Sequence, residues 1–158
     1  MATISISQDF PVTPDALWEE LRHIERHVRW MHDAVAITFH DEQREGVGTQ
    51  FSCTTKVGPF VTKDVMVVNE WSKNEVMGVE HRGLVRGTGT FRLEPHAGGT
   101  ALTWRETLRF PWWMAGTLGA AAASPVFRAL WRSNLRALSR EVAAVRVKSF
   151  ETVFESIQ

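Results

Sequence analysis

Tyrosine is missing from this chain altogether, and cysteine occurs only once. A lone Cys53 forms no internal disulfide, which makes a cytoplasmic protein the expectation. Net charge is lacking as well, since 18 basic and 18 acidic residues cancel. No overall field then favours nucleic acid or an anionic bilayer, so neither a nucleic-acid partner nor stable membrane insertion is expected. A basic-then-apolar leader is not visible in the first residues, and no secretory signal is expected. The longest nearly uncharged run, residues 110–127, is interrupted by Pro111, Gly116, Gly119 and Pro125, which makes it a poor membrane span.

Chemical signatures are scarce too. No nucleophile elbow supports Ser-His-Asp hydrolysis. Gly87-Thr88-Gly89 lies inside a strand pattern and opens no helix, so it is not a phosphate loop. Glycines there let a sheet curve or let a ligand approach the backbone. His23 and His27 stand four apart, as two metal ligands on a helix would, but only His32 or Asp33 offers a third ligand. Surface histidines are the simpler reading, and no metal or other cofactor is expected. Cys53 has no evident thiolate-activating neighbour and reads as a core residue.

What the chain does have is apolar bulk: 44% hydrophobic residues, including seven tryptophans. Large rings without hydroxyls suit a hydrophobic interior or an apolar pocket. At 158 residues the chain fits one domain, placed at 1–148, with a tail at 149–158.

Periodicity orders that bulk. Thr3 to Phe10 alternates as a half-buried strand. Thr13-Pro14-Asp15 then opens a short helix, with a capping hydroxyl, a proline in the first turn and an acid at the positive dipole end. A second short helix is predicted at 24–30, with Val28 and Met31 inward. From Ala34 the period becomes two, and six strands follow: 34–39, 51–57, a return strand to Trp71, 76–82, 86–94 and 101–110. Finally, Phe127, Trp131, Leu135, Leu138, Val142 and Val145 recur at helical spacing on one face of a long helix over 113–148. Arg128, Arg132, Arg136 and Arg140 lie opposite, as a solvated row. The apolar positions Phe150, Val153, Phe154 and Ile157 give the tail helical spacing again. It packs on the body or on a second chain, and a homodimer is one of those two arrangements.

Strand, two short helices, six strands and a long helix, with the text Pro11-Val12-Thr13-Pro14-Asp15-Ala16-Leu17-Trp18 and Trp30, resembles the SRPBCC superfamily. This is the START-related, birch-pollen-allergen-like helix-grip fold. Gly98-Gly99-Thr100-Ala101-Leu102-Thr103-Trp104-Arg105-Glu106, running on to Asn134-Leu135, is similar to its polyketide cyclase/dehydrase and lipid-transport branch. The resemblance implies an α+β architecture, a curved antiparallel sheet of about seven strands wrapped around the long C-terminal helix. It also implies a cavity between sheet and helix.

Polar residues on apolar strand faces are the candidates for chemistry, because burying them is costly without a partner. Glu106 shares a face with Leu102, Trp104, Leu108 and Phe110, and His81 shares one with Met77 and Val79. The two can anchor a ligand's polar end or act as acid and base; the commoner arrangement is pairing with an arginine, or a place at a wet rim. Expected lining residues are Phe51, Cys53, Val65, Val67, Met77, Val79, His81, Phe91, Trp104, Glu106, Leu108, Phe127 and Trp131, with Trp112 and Trp113 at the mouth. The segment around the two tryptophans, weakened by its glycines and Pro125, reads either as a lid or as a cover over the end of the sheet. The first functional expectation is binding of a hydrophobic or amphipathic small molecule of lipid, polyketide or isoprenoid type. The alternatives are a cyclase/dehydratase-type enzyme using Glu106 and His81, and a protein-interaction module.

Overall fold

A computed structural model describes residues 2–112 and 116–155, apart from the side chains of residues 116–123, 150 and 153–155. Seven strands form one antiparallel sheet: β1 (Ala2–Phe10), β2 (Ala34–Phe39), β3 (Gln50–Val57), β4 (Phe60–Ser72), β5 (Val76–Arg82), β6 (Arg86–His96) and β7 (Gly99–Arg109). Their order is β1-β7-β6-β5-β4-β3-β2. From β2 onward each strand is therefore hydrogen-bonded to the next strand in sequence. Only the link from β1 to β2 crosses between the two edges of the sheet, and it carries the short helices. Among the described residues this is the helix-grip arrangement, closed by the long helix α2 (Gly116–Glu155).

Helix α1 (Pro14–Leu21) begins as its sequence requires. The Thr13 hydroxyl accepts the Ala16 N–H at 3.3 Å, and Pro14 occupies the first turn. Leu17, Trp18 and Leu21 are fully buried. The segment after it is a 3-10 helix, Ile24–Arg29, and this corrects the expected burial pattern. With three residues per turn, positions 24, 27 and 30 share one side. Ile24, His27 and Trp30 accordingly turn inward, and Val28 is exposed. His27 is not a surface residue.

Helix α2 lays Trp131, Leu135, Leu138 and Val142 into the core and keeps Arg128, Arg132, Arg136 and Arg140 in solvent. Val145 is exposed, against expectation, because the described side chains of the helix from 143 onward reach past the sheet. The residues set apart as a tail continue the same helix as far as Glu155, and Pro125 does not interrupt it. Phe150, Val153 and Phe154 have no described side chains, and Ile157 lies outside the described residues. Asn134, fully buried, ties α2 to the start of β2: its Oδ1 accepts the His32 N–H (3.0 Å) and its Nδ2 donates to Asp33 Oδ1 (2.7 Å). No helix among the described residues is long and apolar enough to cross a membrane.

Candidate ligand cavity

Between the inner face of the sheet and the first half of α2 lies a cavity of about 410 Å³. Phe60 and Val126 line it and are 67% and 58% exposed, so it reaches solvent between the β3–β4 turn and α2. Its far wall is aromatic. The Trp104 ring centroid lies 5.1 Å from that of Phe91 and 5.0 Å from that of Trp131, and Trp30 packs against Phe91 and Trp104. Phe127 continues this wall toward Phe110.

Most residues expected to line the cavity do so: Phe51, Cys53, Met77, Val79, His81, Phe91, Trp104, Glu106, Leu108, Phe127 and Trp131. Val65 and Val67 do not; their places are taken by Asp64 and Met66. The reason is a bulge in β4. Pairing with β5 shifts between Val68 and Glu70, leaving Asn69 as an extra residue. Counting by twos back from the inward Trp71 selects Val67 and Val65, but the extra residue flips the phase. Trp112 is 87% exposed and contributes nothing to the lining. It sits beyond the end of β7, where strand alternation no longer directs a side chain. Trp113 lies outside the described residues.

The polar centre of the cavity is a diagonal pair across three strands. His81 pairs in register with Gly87, and Glu106 with Gly89. The His81 Nε2–H donates to Glu106 Oε2 at 3.1 Å, and the Trp104 indole N–H donates to Glu106 Oε1 at 2.9 Å. Both carboxylate oxygens are thus held, and Glu106 is only 7% exposed. The strand between is glycine at the two positions that matter. A Cβ on Gly89 would lie 2.3 Å from Glu106 Oε1, so any larger residue takes the space the carboxylate fills. The expected arginine partner is not used, since the two candidates pair with each other.

Burial pulls the His81 pKa down, but the hydrogen bond and charge of Glu106, with the charge of Asp64, outweigh it and raise the pKa above the ordinary histidine value. His27 behaves oppositely. It is wholly buried, its Nε2–H donates to the Leu21 carbonyl at 2.7 Å, and desolvation lowers its pKa to about 4. Desolvation also raises the Asp33 carboxyl, against its bond from Asn134, with Glu106 adding to the rise. The Cys53 thiol is raised for the same first reason, with Asp33 and Asp64 adding to it.

Sequence reasoning missed Asp33, Asp64 and His27 as cavity residues. The 3-10 period hides His27 and the bulge hides Asp64. Asp33 carries one usable signal, its place beside the first residue of β2. His23 and His27 do not converge, and no group of three metal-ligating side chains forms among the described residues.

Residues 1–144 match the family described as polyketide cyclase/dehydrase and lipid transport. The chain belongs to that family. No curated protein matches it in sequence. Among solved structures it is similar to TTHA0849 from Thermus thermophilus, with TM-score 0.76 and 16% identity over 91% of this chain and 99% of that one. It is also similar to the Zhui aromatase/cyclase from Streptomyces sp. R1128, with TM-score 0.66 and 14% identity over 90% and 93%. Ara h 8.0201 superposes with TM-score 0.66 at 13% identity, over 90% and 98%. At such identities these likenesses establish the helix-grip fold alone.

Proposed function

We propose that this member of the family binds a hydrophobic or amphipathic small molecule, of lipid, polyketide or isoprenoid type, between the sheet and α2. The observation that carries this reading is the cavity itself: about 410 Å³, walled chiefly by aliphatic and aromatic side chains, with few polar groups gathered around His81 and Glu106. A site of this kind gains affinity by removing apolar surface from water and uses its few polar groups to orient the guest. An interaction module with a filled core has less support, because the space under Phe127 is hollow.

A direct test is titration with the neutral apolar fluorophore N-phenyl-1-naphthylamine. Saturable binding of one molecule per chain is expected. Val79→Phe, which adds a ring inside the cavity, removes it while the variant still melts cooperatively. Folded protein that shows no saturable binding, or a Val79→Phe variant that binds as well as the parent, sinks the reading.

A second reading, a cyclase/dehydratase-type enzyme, is favoured by one feature. His81 and Glu106 are hydrogen-bonded to each other inside the space a substrate would occupy. Such a pair can accept a proton from a carbon beside a carbonyl and return one to a departing hydroxyl, the proton balance a cyclisation with dehydration needs. His81→Ala and Glu106→Gln would then abolish turnover of a polyketone substrate while leaving fluorophore binding intact.

A further inference from the structure

The acidic groups facing the cavity outnumber the basic ones. Asp33, Asp64 and Glu106 line it, and no lysine or arginine does so among the described residues. The histidines do not balance them. His27 already spends its Nε2–H on the Leu21 carbonyl, and burial keeps it neutral down to about pH 4. His81 supplies one positive charge at most, and it faces Glu106 directly. Three carboxyl groups thus face one histidine able to carry charge.

Hydrogen-bonding capacity points the same way. Glu106 has a donor on each oxygen, from Trp104 and His81. Asp64, 4% exposed, accepts the Leu84 N–H on Oδ1 at 2.6 Å. Its Oδ2 has no hydrogen-bond donor among the described residues. Gly83 is needed beside it, since a Cβ there would lie 1.9 Å from Asp64 Oδ1. A buried carboxylate with an unused oxygen, facing open space, asks for a donor from outside the protein.

We infer that the cavity takes a ligand whose polar end donates hydrogen bonds and carries no negative charge, a hydroxylated hydrophobic molecule and not a free carboxylic acid. This rests on the ligand-binding reading above and narrows its chemical class. A hydroxyl supplies the proton that Asp64 Oδ2 lacks. A carboxylate brings a further negative charge into a space where ionised groups are poorly screened and has no donor to offer.

The test uses two guests with one carbon skeleton, dodecanol and dodecanoate, each displacing bound N-phenyl-1-naphthylamine at a pH where the acid is ionised. Dodecanol is expected to bind more tightly by about tenfold or more. Asp64→Asn, which keeps an acceptor oxygen for Leu84, and the double variant with Glu106→Gln should narrow that preference several-fold or reverse it. Asp64→Asn alone decides the matter if the double variant fails to melt cooperatively. Equal or tighter binding of dodecanoate by the parent protein overturns the inference. So does failure of both guests to displace a fluorophore that itself binds, or a preference unchanged in Asp64→Asn. If the fluorophore itself does not bind, the ligand-binding reading fails first, and this inference with it.

Discussion

From Asn134 to Val142 the long helix lies on a solid floor, whereas around Phe127 and Trp131 the same helix roofs a void. In the solid half, Leu135 and Leu138 are shut away with Phe10, Trp18, Leu21 and Leu102, none of them more than 1% exposed. The Gln8 side-chain amide also reaches across to the Leu135 carbonyl at 3.2 Å. In the hollow half helix α1 supplies no lining residue, and the 3-10 helix reaches the cavity wall only through Ile24 and His27. The link from β1 to β2 fills one end of the grip, and Asn134 with Asp33 marks the boundary. Stability is concentrated on one side and room for a guest on the other.

Truncation should expose that contrast most strongly. Leu138→Ala, in the solid half, is expected to lose about 3–5 kcal/mol of unfolding free energy, since it removes a fully buried side chain and leaves a cavity that cannot collapse. Leu108→Ala, on the cavity wall, is expected to lose only about 1–2 kcal/mol, because the space beside it is already open. Denaturant melts of both variants measure the gap. Equal losses would mean the two halves are packed alike.

Acid should act on the histidines in opposite senses. The His27 pKa falls from 6.5 to about 4 on folding, so its contribution is complete above 6.5 and is lost as pH drops toward 4. That amounts to on the order of 3 kcal/mol. For His81 the folded pKa is raised, so its contribution is complete below the unfolded value near 6.5 and is lost as pH climbs through the folded one. Stability measured from pH 7 to 4 should therefore fall less steeply in His27→Gln than in the parent. Identical slopes would place the acid sensitivity elsewhere.

The smallest effect belongs to Gly89→Ala. The new methyl displaces the Glu106 carboxylate, costing about 1 kcal/mol for a weakened hydrogen-bonded pair. The sharper readout is an NMR titration of His81, whose pKa should drop once Glu106 moves away and burial dominates. An unchanged titration would mean that the carboxylate tolerates the methyl.

Much of this was legible beforehand, and the failures have identifiable causes. Period-two text reads out all seven strands, and steps of three and four read out the buried face of α2. Glu106 and His81 are visible as polar intruders on apolar faces. Val65 and Val67 were misassigned because one extra residue at Asn69 reverses inside and outside for half a strand. Val28 and Val145 failed for different reasons, the first through a 3-10 period and the second because the helix outruns its sheet.

By itself the order of residues determined the elements and their polarity, which depend on neighbours within a few positions along the chain, and the family, which rests on the pattern over residues 1–144. Tertiary structure alone decided that His81 meets Glu106, 25 residues away, across a strand made narrow by Gly87 and Gly89. It alone decided that Asp64 turns inward as well. Both outcomes depend on the register between strands, and register is settled by the whole sheet closing on its helix.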